Sequence, residues 1–389
     1  MNTSSLTYDL AGRIDSGNAG EVKAALLQSI DEAGAPSVVF DAKNLVYISS
    51  AGLRVILDVQ EMRKITMSFI NVNSDIAEIF DMTGLSRIFD VQKVMRSCII
   101  DGSTMLGKGA NGEVYALDDD TIIKVFYPGI PLEVIKREQR LSQAALLAGI
   151  PSVIPYDTVR VGDDRYGNVY EKLGTRTLSQ TISEDPSHFD HWMELYADLF
   201  RKIHSTSVDL LGVSHTKEIY HSYFDGCADW YTEDDLNALK KLVDSIPESN
   251  MLIHGDYHPN NIMVNDERLI LIDLGDMSIG HAAFDFLSTA ATQANLVDLD
   301  PAYAEIHTRM KVEYIKKGWQ ALLRLNFPDR SEEERAVIDR QIRLLSKLKV
   351  ACAPVIAKGI PEELIRNSVN DAKQNLIPRI DELTNAFNW

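Results

Sequence analysis

The chain opens with an alternating apolar run at Leu6–Ile14. A segment of helical period follows over residues 16–33, with Ala19, Val22, Ala25, Leu26 and Ile30 on one side. Residues 36–41 read as a buried strand, and residues 47–57 as an apolar strand end that passes through small residues into a helix. A further strand is predicted at 67–72 and an amphipathic helix at 76–89. Alternating strands and helices over residues 1–98 predict one α/β module. No Pro/Gly/Ser-rich linker follows it, and Val94, Cys98, Ile99 and Ile100 run straight into a different pattern. There Gly107, Gly109 and Gly112 precede alternating Val114 and Ala116, a turn at Asp118–Asp120 and a return strand at Thr121–Phe126. A helix over 132–147 and strands at 154–161 and 169–173 complete a β-rich lobe, residues 99–173. Helical periods dominate residues 174–389: 188–204, a helix opened by Thr232 and Asp235 in capping-box fashion, 302–323, a helix capped by Ser331 and Glu334, and one starting at Pro361.

Composition narrows the partners. A net charge of -18 with no long Lys/Arg run disfavours a nucleic-acid partner. Three distant cysteines, Cys98, Cys227 and Cys352, read as free thiols of a reducing compartment. The N-terminus lacks the basic-then-apolar pattern of a signal peptide, and no apolar run approaches transmembrane length, so no membrane partner and a cytoplasmic location are expected.

The chemistry concentrates in one stretch. An apolar strand enters His254-Gly255-Asp256, Asn261 follows five residues later, and a second short strand delivers Asp273. Phosphoryl transfer needs a carboxylate near the acceptor hydroxyl and oxygen ligands holding Mg²⁺ on the phosphates. Asp256 suits the first role, Asn261 and Asp273 the second. Asp, Asn and His-Pro also form ordinary turns, but three such positions set between two apolar strands make a turn alone a poor explanation. Upstream, the segment after Gly112 alternates and turns instead of opening a helix, so the glycine triplet reads as a hairpin over phosphates and not a dinucleotide fingerprint. Gly107, Lys108, Gly109, Ala110, Asn111 and Gly112 form that hairpin. Lys124 lies on the return strand among Ile122, Ile123, Val125 and Phe126, which favours a phosphate-pairing role over a solvated lysine. Glu138 is the chosen carboxylate partner of Lys124, with Glu133 its competitor. His258 reads as a packing residue, and His204 as a favourable charge at a helix C-terminus.

These residues resemble the aminoglycoside phosphotransferase and choline kinase-like family, relatives of the protein kinases. In that family His-Gly-Asp-x-x-x-x-Asn is the catalytic loop; protein kinases carry Arg where this chain has Gly255. The resemblance implies a bilobal α+β protein-kinase-like fold, ATP and Mg²⁺ as cofactors, a hinge at Glu171 to Leu173 binding adenine through its backbone, and Asp285 as support for the catalytic loop. The protein-kinase Ala-Pro-Glu element and long activation segment are absent.

In the first hundred residues, Ile48-Ser-Ser-Ala-Gly-Leu53 and the element order resemble the STAS domain of anti-sigma factor antagonists. That family's phosphorylated serine falls on Ser50, a candidate phosphosite. Many members carry Asp just before the acceptor where this chain has Ser49, and a plain helix cap by itself explains a serine there and is the favoured reading. Three functions follow as expectations. The first is a kinase moving the γ-phosphate of ATP to a hydroxyl of a small molecule, with the STAS-like module binding a protein partner. The second is a protein Ser/Thr kinase acting on Ser50 or a partner's serine. The third is a catalytically weak nucleotide-sensing scaffold.

Overall fold

The structure is a computed structural model and describes residues 5–109, 111–174, 176–207, 213–357, 361–384 and 387. The chain divides into two compact units, Met1–Ile99 and Ile100–Trp389.

In the first unit, strands Leu6–Ile14, Ser37–Ile48, Thr66–Val72 and Asp90–Lys93 form a parallel sheet in sequence order. Helices Ala19–Ala33, Ser50–Arg63 and Ser74–Met82 connect them. Phe40, Phe69, Phe80 and Phe89 interlock in its core, with ring centroids 4.8–5.5 Å apart. The strand predicted at 36–41 continues to Ile48. Irregular register against Leu6–Ile14 shifts its inward positions from Val38, Phe40 and Ala42 to Leu45 and Ile48, which breaks the alternation in the sequence. The helix predicted at 76–89 stops at Met82, and Gly84 at φ 75° leads into a short 3₁₀ turn at Leu85–Arg87.

The Ser-Ser-Ala-Gly segment has a packing reason. Ser49 caps helix Ser50–Arg63, its Oγ accepting from the Gly52 N–H at 3.4 Å, and its own N–H donates to Ile14 O at 2.9 Å. A Cβ at Gly52 would lie 2.7 Å from the Ile48 side chain and 3.0 Å from Ile14 O, so this helix sits closer to the sheet than any side chain allows. Gly52→Ala is therefore expected to destabilise the first unit by about 1–3 kcal/mol, the usual cost of overpacking. Hydrogen exchange of the full chain would show faster exchange in residues 6–72; unchanged protection there would refute the packing role.

The second unit begins with five antiparallel strands in the order Pro155–Val161, Arg165–Glu171, Thr121–Phe126, Gly112–Ala116, Met105–Lys108. Helix Leu132–Leu147 lies against this sheet and buries Ile135, Glu138, Leu141 and Ala145. The remainder is mostly helical. Two small antiparallel pairs interrupt it: Met251–Ile253 with Ser278–Gly280, and Ile262–Asn265 with Arg268–Leu271. Both capping boxes form, at Thr232/Asp235 and Ser331/Glu334, and a third, Thr177/Gln180, opens helix Leu178–Glu184. The helix expected over 302–323 is two helices, Pro301–Thr308 and Val312–Asn326, because the chain reverses at Arg309 with φ 56°. Among the described residues no helix is long and apolar enough to cross a membrane.

Candidate active site

The glycine hairpin joins strands Met105–Lys108 and Gly112–Ala116. Gly109 N–H donates to Gly112 O at 2.9 Å, and Tyr127 N–H to Asn111 O at 3.0 Å. A Cβ at Gly112 would fall 2.2 Å from Val125 O, so the return strand demands glycine there. Gly107 and Gly109 differ: a Cβ at Gly107 meets nothing, and at Gly109 only Gly112 O at 3.9 Å. Their bareness leaves open backbone at the hairpin, the property a phosphate cradle uses. Lys108 is exposed and lies 3.6 Å from Glu113. Ala110 lies outside the described residues.

Strand pairing sets Lys124 opposite Val114 of the hairpin on one side and Asn168 on the other. Its Nζ donates to both Glu138 oxygens, at 2.8 and 3.0 Å, and to Asp273 Oδ1 at 2.7 Å. Glu138 is 6% exposed on the buried face of its helix, whereas the side chain of Glu133 is largely exposed and pairs with Lys136. Behind Glu138 runs a polar chain that the sequence did not signal. Thr158 Oγ1 donates to Asn168 Oδ1 at 2.7 Å, Asn168 Nδ2 to Tyr170 OH at 3.3 Å, and Tyr170 OH to Glu138 Oε1 at 3.2 Å. Burial raises the Glu138 carboxyl, opposed by Lys124 and reinforced by Asp273. Burial alone would lower the Lys124 ammonium, but the charges of Glu138 and Asp273 outweigh it and raise it. At the expected hinge, Glu171 Oε1 accepts from Ile154 N–H at 2.8 Å, and Leu173 lies just past the strand's end, half-buried.

Asp273 stands in the left-handed region, φ 59° and ψ 59°, directly before a 3₁₀ turn at Leu274–Asp276. Such a backbone is uncommon outside glycine and clusters at functional positions. It follows Ile272, whose N–H donates to Asn261 O at 3.0 Å, tying the second carboxylate to the His-Gly-Asp loop. Asn261 Nδ2 donates to Asp256 O at 3.0 Å and Oδ2 at 3.2 Å, which leaves the amide oxygen as its acceptor. Gly255, φ 83°, makes the turn into Asp256; a Cβ there would lie 2.6 Å from Asp276 O, so the Arg of the protein kinases has no room.

The loop is held from below. Asp285, fully buried, accepts from His254 N–H at 2.8 Å, Gly255 N–H at 2.7 Å and His204 Nε2 at 2.8 Å. Burial would raise Asp285, but these donors and His204 hold it below the usual carboxylate range. His204 therefore supports the His-Gly-Asp loop through Asp285, and the helix-end charge expected of it is not its main contact.

Two residues flank Asp256: His258, expected to pack and hydrogen-bond, and Lys349, which the sequence did not single out. His258 Nδ1 accepts from Asn260 N–H at 3.2 Å, so its Nε2 carries the proton and faces Asp256 Oδ2 at 3.3 Å. Lys349, 93 residues downstream, places its Nζ 3.3 Å from Asp256 Oδ1. Burial pushes the Asp256 carboxyl up, but Lys349 and His258 overcome this and hold it well below the usual range. Asp276 faces the same space; burial raises it, opposed by Lys349.

The unit thus pairs a β-rich lobe carrying a glycine hairpin and a Lys–Glu pair with a helical lobe carrying a His-Gly-Asp loop, a bilobal protein-kinase-like fold. Residues 104–311 match the model of the phosphotransferase enzyme family, and residues 2–98 that of the STAS domain. The chain belongs to the phosphotransferase enzyme family, with a STAS domain at its N-terminal side. Over 85 residues, 21% of this chain and 72% of the relative, it is 36% identical to the "Putative anti-sigma factor antagonist BtrV" of Bordetella bronchiseptica. Among solved structures, it resembles ADP-bound aminoglycoside phosphotransferase APH(2'')-Ib at 16% identity and TM-score 0.47, covering 78% of this chain and 98% of that one. The gentamicin complex of APH(2'')-IIa gives 17% and 0.48, covering 74% and 93%.

Proposed function

We propose that the second unit transfers the γ-phosphate of ATP, with Mg²⁺, to a hydroxyl of a small molecule. The observation that carries this reading is the continuous chain of contacts from Glu138 through Lys124 to Asp273, and from Asn261 to Asp256. The donor set suits the metal. Among the described residues no three His, Cys, Asp or Glu gather to hold an ion alone. Mg²⁺ is usually bound by one or two protein oxygens together with substrate phosphates, which Asp273 and Asn261 would supply. Asp273 already faces a cation, the Lys124 ammonium.

In this mechanism Lys124, oriented by Glu138, holds the α and β phosphates, and the open backbone at Gly107 and Gly109 covers them. Held by Asp273 and Asn261, Mg²⁺ would supply positive charge beside the phosphoryl oxygens. Asp256 accepts the hydrogen bond of the acceptor hydroxyl and aims its oxygen at the γ-phosphorus. A bond forms from that oxygen to phosphorus, the bond to the β–γ bridging oxygen breaks, ADP leaves, and Asp256 receives the hydroxyl proton. Held ionised by its neighbours, Asp256 is a weak base, which suits a loose transition state in which proton transfer comes late.

The STAS domain supplies a specific second reading, a protein kinase acting on serine. Ser50 is exposed at the first helical position, while Ser49 provides the cap; a phosphate there would sit at the positive end of the helix dipole. Incubation with γ-labelled ATP and Mg²⁺, with gentamicin or a neutral polyol added, separates the readings. Label on the small molecule is expected; label on Ser50 alone would replace the first reading with the second. Neither label nor ADP formation would leave the nucleotide-sensing scaffold.

A further inference from the structure

We propose that Lys349 is a positioning residue of the transfer reaction, holding Asp256 so that Oδ1 is the oxygen offered to the acceptor hydroxyl. The inference rests on the role assigned to Asp256 above. A carboxylate offers about four lone-pair directions. On Oδ2, Asn261 Nδ2 at 3.2 Å and His258 Nε2 at 3.3 Å take two. On Oδ1, Lys349 Nζ at 3.3 Å takes one. The free direction is on Oδ1, beside the ammonium.

The rest of the lysine's geometry says how it acts. Its Nζ also donates to Gly255 O at 3.0 Å and Ser288 Oγ at 2.6 Å, and Ser288 Oγ donates to Gly255 O at 2.6 Å. An ammonium has three hydrogens, and all three have partners in or beside the catalytic loop. Lys349 cannot swing toward substrate without releasing one of them, so it works through Asp256. Its helix, Lys347–Ala351, packs against helix Glu362–Asp371, and the side chain is one-quarter exposed.

A double-mutant cycle with MgATP as donor and water as acceptor tests this, scored by ADP release. Lys349→Met keeps the aliphatic stem and removes the charge. It is expected to lower kcat by about 10- to 100-fold with the KM for ATP within about twofold, the pattern of an interaction lost in the transition state. Lys349→Arg, which keeps the charge but not the three-point geometry, should fall between Lys349→Met and the wild type. In an Asp256→Asn background, Lys349→Met should cost less than about twofold more, because residues that act as a unit are not additive. An unchanged kcat, or the full loss repeated in the Asp256→Asn background, overturns the proposal. Should Lys349→Met not fold, Ser288→Ala carries the test: a kcat loss of about threefold or more supports it, and no change overturns it. Wild-type turnover by Asp256→Asn alone would instead remove Asp256 from the mechanism, a separate failure.

Discussion

Asparagine at position 256 is expected to lower turnover by about 10²- to 10⁴-fold, the range contributed by a positioned acid–base group. The substitution keeps the shape of the side chain and removes the negative charge that orients the hydroxyl and receives its proton. ATP should still bind with near wild-type affinity, because Lys124, held by Glu138, belongs to the other lobe and contacts Asp273, not Asp256. The loss therefore belongs in kcat, with the KM for ATP little moved. Thermal unfolding of the variant separates chemistry from stability, since the substitution leaves Lys349 facing a neutral amide. A variant as active as the wild type at equal stability would show that the carboxylate takes no part.

Methionine at position 124 is expected to act on the nucleotide side. Its ammonium bridges two carboxylates, Glu138 at 2.8 Å and Asp273 at 2.7 Å. Removing it strands a buried glutamate, which will take up a proton, and leaves Asp273 without the cation that fixes it. The kcat/KM for ATP should fall by about 10²- to 10³-fold, the usual loss when a preorganised charge on the reacting group is removed. Glu138→Gln should show a smaller fall of the same kind, since the lysine stays and only its orientation is lost. Steady-state kinetics over a range of ATP concentrations, with nucleotide-induced thermal shifts, would measure both. A Lys124→Met enzyme with unaltered kcat/KM for ATP would exclude the lysine from phosphate binding.

The candidate site in the His-Gly-Asp stretch was legible because its signal is local. Three polar positions at fixed spacing between apolar strands place Asp256, Asn261 and Asp273 with no knowledge of the rest of the chain. The choice of Glu138 over Glu133 was also open to the sequence: Ile135, Glu138, Leu141, Ser142 and Ala145 share one helical face, so Glu138 turns inward. Gly52 was visible as a motif, but its cause, the approach of a helix to Ile14 and Ile48, is a tertiary fact. Lys349 and the chain from Thr158 to Tyr170 were not legible. A lysine in an amphipathic helix has the appearance of a solvated residue, and its partner lies 93 positions earlier. His204 misled for a related reason: a histidine at a helix end invites a local electrostatic explanation, whereas its partner, Asp285, lies 81 positions away. The break at Arg309 carries no glycine or proline to announce it.

The most direct test is a crystal structure of the full chain with Mg²⁺ and a non-hydrolysable ATP analogue. The metal is expected about 2.0–2.1 Å from an oxygen of Asp273 and of Asn261, the ordinary Mg²⁺–oxygen distance, with the phosphates under Gly107–Gly112 and against Lys124. A nucleotide bound elsewhere, or a metal that leaves both side chains free, would contradict the assignment of these residues.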